Sequence, residues 1–251
     1  MRTPLAQPRR QGLKKNELKP HLRRTWCIGE LDAAFLAKME TLLWLYALPY
    51  NEHYPVVCFD ERPCFLIGEA VEPISMQSGK VRKEHYAYEK NGSCALLCAI
   101  EPLTGKRLGR VYEQRTKKEY ALFMQELAEM FAGAKKIRLV QDNLNTHNSR
   151  SFYENFSAEE AFELAQRFEF YYTPKAASWL NMIEIEFSAL VKQCLDRRIP
   201  TEEQLRREVL AIVKERSNKQ IKIHWQFSIE KARTKLNAAY TKINPANEKY
   251  K

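Results

Sequence analysis

The amino-acid sequence predicts an α/β fold built on one mixed sheet with helices on both faces. Its first half contains a meander of strand-like runs between residues 54 and 113, rich in β-branched and aromatic side chains. Two further strand-like runs, 136–141 and 168–172, alternate with segments of helical periodicity. Three antiparallel strands followed by two strands with helical crossovers give a mixed sheet, because each crossover helix packs on a face of the sheet.

Turn residues divide the meander. Pro63 separates its first two strands, and the pair Asn91-Gly92 predicts a hairpin, since this pair suits the positive φ angles of a tight turn. The strands predicted in the meander are 54–60, 64–69, 85–89, 93–101 and 109–113.

Apolar residues at intervals of three and four predict the helices. Gly133 follows the second of them, as is typical of a helix end. The predicted helices are 31–48, 117–131, 150–167, 182–195, 202–219 and 229–240.

Charge is distributed unevenly along the 251 residues. Residues 1–24 carry a net charge of +7 and residues 192–251 a net charge of +8, whereas the segment between them is net negative at −5. Basic segments attract polyanions, chiefly nucleic acid, while an acidic centre accepts phosphate only if cations intervene. No apolar run approaches the roughly 18 residues of a membrane-spanning helix, so we expect no membrane partner. The six cysteines form no CxxC pair, and we expect reduced thiols.

Carboxylates stand at three places where the predicted strands and helices meet. Asp60 ends the first strand, Asp142 follows the fourth, and Glu184 and Glu186 begin the helix after the fifth. Three converging carboxylates are hard oxygen donors that suit Mg²⁺ or Mn²⁺. Each acid also has a plainer interpretation as a turn, cap or solvated helix residue, and periodicity does not choose between Glu184 and Glu186.

Four blocks of the sequence resemble one known family. The blocks are VVCFDERP, EHYAYEKNGSCALLCAIEPLTGK, RLVQDNLNTH and YYTPKAASWLNMIEIEFSALVKQCL. Together they resemble bacterial transposases of the insertion sequence 630 group, in the mariner superfamily, whose catalytic domain is a DDE endonuclease. The resemblance covers residues 13–240. It implies a ribonuclease-H-like fold, cleavage at the ends of a mobile element, and strand transfer into target DNA.

The resemblance also implies the site. By motif position the catalytic and metal-binding triad is Asp60, Asp142 and Glu184, holding two Mg²⁺ (or Mn²⁺) ions, with Glu184 preferred because it follows Asn181 by three positions. Asn143, His147 and Glu186 are expected to support the site, or to contact DNA or a neighbouring helix. The partners implied are double-stranded DNA, as element ends and target, and a second copy of the chain in a homodimer. The residues predicted to bind DNA are Arg9, Arg10, Lys14, Lys15, Arg23, Arg24, Arg197 and Arg198.

The chain departs from the family pattern at its N-terminus. We expect residues 1–50 to form a basic arm and an amphipathic helix, with the usual helix-turn-helix module largely missing. Residues 51–200 would be the catalytic domain, and 201–251 a set of basic C-terminal helices. We expect a cytoplasmic protein that joins the nucleoid when it binds DNA. Two alternatives remain open: a stand-alone metal-dependent nuclease, and an inactive DNA-binding remnant of a transposase.

Overall fold

A computed structural model describes residues 31–250, which are organised around a five-stranded mixed sheet. The strands are β1 (Val56–Glu69), β2 (Tyr88–Ile100), β3 (Arg107–Tyr112), β4 (Ile137–Gln141) and β5 (Phe168–Tyr172). Their order across the sheet is β3-β2-β1-β4-β5. The pairs β1–β2 and β2–β3 are antiparallel, and the pairs β1–β4 and β4–β5 are parallel. The predicted mixed sheet is confirmed.

Helices cover both faces of this sheet. They are α1 (Ala33–Ala47), α2 (Lys117–Met130), α3 (Arg150–Tyr153), α4 (Ala158–Gln166), α5 (Ile183–Leu190), α6 (Glu202–Asn218), α7 (Ile229–Lys235) and α8 (Asn237–Ile243). A short 3₁₀ turn, Ser178–Leu180, precedes α5, and a π-helical turn, Val191–Leu195, follows it. Another 3₁₀ segment, Pro245–Tyr250, follows α8.

Two hydrophobic cores lie on opposite sides of the sheet. Successive residues of β1 alternate between them: Cys58 packs in the first core, and Val57 and Phe59 pack in the second. The first core also contains buried residues of α1, α5, α6, α7 and α8, and the second contains those of α2, α3 and α4. Helices from both ends of the described chain therefore share a core with the sheet.

Two predicted breaks in the meander are wrong. Pro63 does not end a strand, because β1 continues through it and pairs it with Ala95 of β2. β4 pairs only with Val56–Cys58, so the rest of β1 has one edge without a strand partner, where a residue lacking an N–H is tolerated.

The Asn91-Gly92 pair forms a β-bulge within β2 rather than a hairpin turn. Leu66 faces Gly92 and Ile67 faces Lys90, so Asn91 is an extra residue in the strand. Gly92 has a φ of +118°, the conformation for which this residue pair is suited, but here it bends a continuous strand. Asn91 Nδ2 donates to Pro200 O at 2.9 Å, which ties the bulge to the segment before α6.

Three predicted helices are interrupted in the structure. The 150–167 segment forms α3 and α4, the 182–195 segment forms α5 and the π-helical turn, and the 229–240 segment forms α7 and α8. The cysteines at 58, 64, 94, 98 and 194 are buried free thiols, as expected, and Cys27 lies outside the described residues. Across residues 31–250, no helix has the length and apolar character needed to cross a membrane.

Candidate active site

The parallel register of β1 and β4 brings the first two predicted carboxylates together. Cys58 of β1 faces Val140 of β4. Asp60 and Asp142 each follow these partners by two residues, so both stand at the same edge of neighbouring strands, where strands are about 4.8 Å apart. Asp60 is still within β1, whereas Asp142 is the first residue after β4.

Glu184 is presented beside this pair by a side-chain anchor at the start of α5. The buried Asn181 donates through Nδ2 to Phe59 O at 2.8 Å, the carbonyl that directly precedes Asp60. Glu184 lies in the first turn of α5, and its N–H donates to Asn181 O at 3.2 Å. The helix therefore begins against β1, with Glu184 three residues after the point of attachment.

The three carboxylates influence one another electrostatically. Burial and, to a smaller extent, the negative charges of Asp142 and Glu184 raise the pKa of Asp60 to about 7, against the lowering effect of the hydrogen bond from Glu61 N–H. Such a cluster of acids is unfavourable on its own and favourable around a cation.

Glu186 takes a structural position on the opposite side of α5. It is 1% exposed, and its carboxylate is held by two arginines, with Arg107 Nε at 2.9 Å and Arg216 Nε at 2.8 Å. Burial raises the pKa of Glu186, but the two arginines more than offset this and keep the pKa below its usual range. Of the predicted roles for Glu186, the structure supports the helix contact, because a carboxylate enclosed this way is not available to DNA.

His147 is buried next to Asp142. Its Nδ1 hydrogen-bonds to Asp142 Oδ1, and its ring stacks on Tyr120 at 4.9 Å between centroids. Burial lowers the pKa of His147, but the carboxylates of Asp142 and Glu61 outweigh it and raise the pKa to about 9. His147 is therefore an imidazolium at neutral pH.

Asn143, the other residue of this loop that was predicted to support the site, has an exposed side chain.

Sequence reasoning did not assign two further residues near this histidine. Glu61 has a buried side chain, and its Oε1 lies 3.6 Å from His147 Nε2 and 3.1 Å from Arg115 Nε. The sequence contained an indication that Glu61 has a partner, because burying a second carboxylate directly after Asp60 costs free energy unless it is paired. Arg115 carried no such signal, because its partner is 54 residues away in the chain.

The carboxylates of Asp60, Asp142 and Glu184 are suitable ligands for a divalent cation, although their side chains are not close enough together to hold one. Within residues 31–250, no three His, Cys, Asp or Glu side chains lie close enough together to hold an ion as they stand. The donors of Asp60, Asp142 and Glu184 are hard carboxylate oxygens, which suit Mg²⁺ or Mn²⁺. Burial and the neighbouring charges of Asp142 and Glu184 raise the pKa of Asp60, and a bound cation would favour its ionised form.

Comparison with known proteins identifies the family. Residues 55–206 match the family described as DDE superfamily endonuclease. The chain belongs to the DDE superfamily of endonucleases. No curated protein is similar enough in sequence to count as a relative of this endonuclease.

Solved structures of one transposase share the fold of this DDE endonuclease. The Mos1 mariner paired-end complex with Mn matches with a TM-score of 0.55 at 14% identity, over 90% of this chain and 68% of that chain. The Mos1 strand transfer complex matches with a TM-score of 0.57 at 11% identity, over 94% of this chain and 66% of that chain. The DDE endonuclease chain thus spans about two thirds of these transposase chains, and its sheet and helices form the same ribonuclease-H-like fold.

An open groove leads away from the acids of the DDE endonuclease. It begins at Asp142 and Asn143 and passes Trp179, and its volume is about 1260 Å³, including space that is open to solvent. Two exposed lysines, Lys38 of α1 and Lys175 after β5, line it. The same lysines line a further groove of about 830 Å³ that reaches the start of α1. Positive side chains therefore border the approach to the acidic site.

The arginines predicted to bind DNA near the C-terminal end of the DDE endonuclease are already engaged. Arg197 pairs with Glu208, and Arg198 pairs with Glu69 and donates to His85 O at 2.6 Å. The Arg197 side chain is half exposed and that of Arg198 is mostly buried, and DNA binding by either stays a prediction. The other predicted DNA-binding residues lie outside the described residues: Arg9, Arg10, Lys14, Lys15, Arg23 and Arg24.

The contrast between the two acids of α5 predicts opposite effects on stability. Glu186→Gln leaves Arg107 and Arg216 without a counter-charge in a buried place, so we expect the free energy of unfolding to fall by about 3 kcal/mol. Glu184→Gln removes a charge that repels Asp60, so we expect unchanged or slightly higher stability. Urea denaturation of both variants beside the unaltered protein measures this. Equal destabilisation by the two substitutions would contradict the assignment of α5 faces.

Proposed function

We propose that this chain is the catalytic portion of a DNA transposase of the insertion sequence 630 type, which cleaves DNA at element ends and joins them to target DNA. The observation that supports the proposal is the β1–β4 register of a DDE endonuclease, which places Asp60 and Asp142 at one edge of the sheet, with Glu184 in the helix that Asn181 anchors beside Asp60. The interval 51–200 is the proposed catalytic unit.

In this proposal the three carboxylates hold two divalent ions, Mg²⁺ or Mn²⁺. When bound, such a pair supplies activation of the attacking oxygen and stabilisation of the leaving oxygen in phosphodiester displacement. Asp60 supplies its carboxylate from β1, the central strand of the sheet. The Asp142 carboxylate is oriented by its hydrogen bond to His147. Glu184 contributes from α5, and the burial of Glu186 supports the choice of Glu184, because residues two apart on a helix point about 200° apart.

The matched structures support DNA and divalent metal as partners. They are Mos1 paired-end, pre-cleavage transpososome and strand transfer complexes, two of them with Mn or Mg. We propose the same partners for this chain: double-stranded DNA as element end and target, and a second copy of the chain across the paired ends. We also propose that it acts in the cytoplasm, on nucleoid DNA.

We further propose that the groove beside Asp142 receives the DNA backbone. Lys38 and Lys175 place positive charge on its walls, and a backbone lying there would lead to the three acids. Lysine contacts to phosphate position DNA without reading its sequence. This supports binding with weak sequence preference by the described part of the chain.

Removing one carboxylate tests the catalytic proposal. Asp60→Asn and Asp142→Asn should each reduce Mg²⁺-dependent cleavage of a terminal-repeat duplex at least about a hundredfold, because metal catalysis supplies several kcal/mol of barrier lowering. DNA binding should be retained, since each change removes a negative charge near phosphate. Gel assays of nicking, strand transfer and binding measure the three steps on the same substrate.

Each outcome of these assays separates the proposal from an alternative. Cleavage without strand-transfer products would indicate a stand-alone nuclease. Binding without any metal-dependent cleavage by the unaltered protein would indicate an inactive DNA-binding remnant. Full cleavage by either variant, or in excess EDTA, would contradict the metal site itself.

The lysines of the groove predict a change in salt dependence. The double substitution Lys38→Ala and Lys175→Ala should weaken DNA binding and reduce the magnitude of the slope of log K against log salt by about 2. Each lysine that no longer contacts a phosphate lowers the number of counterions released on binding by about one. Lys135→Ala is the matched control, since Lys135 is exposed at the opposite end of β4. Binding measured by fluorescence anisotropy at several salt concentrations gives the slope. A slope that the control changes as much as the double variant would argue against this DNA path.

A further inference from the structure

A chain of four polar side chains runs from the surface to Asp142. It begins at Arg115, which precedes the N-cap of α2 and is half exposed. Glu61 of β1 and His147 of the loop after β4 continue it inward, and both side chains are almost fully buried. We call these four residues, Arg115, Glu61, His147 and Asp142, the relay.

The contacts within the relay differ in kind. His147 Nδ1 makes a hydrogen bond to Asp142 Oδ1. At the other side of the ring, His147 Nε2 and Glu61 Oε1 are 3.6 Å apart, and neither buried atom has an aligned hydrogen bond among the described residues. Glu61 and His147 are therefore in close contact without an aligned hydrogen bond, and Arg115 Nε at 3.1 Å from Glu61 Oε1 balances the carboxylate from outside.

Packing holds the imidazole of His147 in one orientation. The ring lies between Tyr120, stacked at 4.9 Å, and Phe59, edge-on at 5.3 Å. The backbone of His147 is fixed too, because its carbonyl accepts hydrogen bonds from Gln141 Nε2 at 2.8 Å and Tyr172 OH at 3.3 Å. Because the ring is held in this orientation, the direction of its hydrogen bond to Asp142 is fixed as well.

Burying Glu61 has a cost that packing alone does not explain. An apolar residue would fill this position in β1 without placing a carboxylate in the core, and a buried charge costs several kcal/mol unless it is paired. Its counter-charges are His147 on one side and Arg115 on the other. Glu61 thus lies against the edge of the ring away from Asp142, and the ring in turn contacts one oxygen of Asp142, which leaves its second oxygen to bind a cation.

We infer that Glu61 and Arg115 are positioning residues, which hold His147 so that the Asp142 carboxylate is oriented toward a bound divalent cation. This inference rests on the proposed function, because the cation is the one that the triad would hold. Groups behind a metal ligand commonly change metal affinity tenfold or more when removed, since they set the ligand's orientation.

A direct measurement of Mn²⁺ affinity tests the inference without turnover. Glu61→Gln keeps the shape of the side chain and should raise the Kd for Mn²⁺ about tenfold. Arg115→Ala should raise it about threefold, the scale of a partly exposed ion pair. Electron paramagnetic resonance of free Mn²⁺ gives the Kd, and urea denaturation of the metal-free protein shows that each variant is folded.

The sign of the Arg115 effect separates positioning from simple electrostatics. Removing a positive charge near a cation site should tighten Mn²⁺ binding if only the electric field matters, whereas the relay predicts weaker binding. Lys117→Ala is the matched control: Lys117 is two residues away, carries the same charge and pairs with Glu154, which is outside the relay. This control should leave the Kd unchanged or slightly lower.

Each result supports or overturns the inference. Weaker Mn²⁺ binding by Arg115→Ala but not by Lys117→Ala supports the relay. If Glu61→Gln fails to fold, the comparison of Arg115→Ala with Lys117→Ala is sufficient to test the relay. Kd values for Arg115→Ala that equal those of Lys117→Ala overturn the relay while leaving the proposed function standing. Absence of Mn²⁺ binding by the unaltered protein would overturn the proposed metal site, and the relay with it.

Discussion

The parallel pairing of β1 with β4 is the constraint on which the site depends. The register Cys58–Val140 sets the positions of Asp60 and Asp142 at one edge of the sheet. It is maintained by burial on both sides, since Val57 and Leu139 pack in one core while Cys58 and Val140 pack in the other. A shift of one residue would turn every side chain of β4 to the opposite face. The sheet therefore brings together two acids that are 82 positions apart in the sequence.

The third acid depends on a different kind of interaction. Asn181 attaches the start of α5 to β1, and the buried cluster of Glu186, Arg107 and Arg216 fixes the rotation of the helix. Buried ion pairs contribute little net stability compared with apolar packing, but they are costly to break. Their effect here is one of orientation: Glu186 is held inward, which places Glu184 on the other side of α5, and the charge of Glu184 contributes to the raised pKa of Asp60.

The sequence predicted the mixed sheet with helices on both faces and the position of Asp142 after β4, because periodicity and the ends of buried strands are local signals. The prediction that Asp60 ends a strand is wrong, since β1 continues to Glu69. Sequence reasoning also failed at Pro63 and at Asn91-Gly92, where local turn signals were overridden by a long strand with an open edge and by a bulge tied to Pro200. It did not choose between Glu184 and Glu186 from periodicity, since the deciding arginines come from distant segments. Arg115 was missed for the same reason.

The central claim is that Asp60, Asp142 and Glu184 together hold divalent metal. Anomalous diffraction from crystals of the protein soaked in Mn²⁺ tests it most directly, because it locates the ion without relying on catalysis. We expect anomalous density in contact with carboxylate oxygens of all three residues, with Glu186 still bound to Arg107 and Arg216. Mn²⁺ bound by Glu186 instead of Glu184, or bound only at acids away from Asp60 and Asp142, would contradict the account.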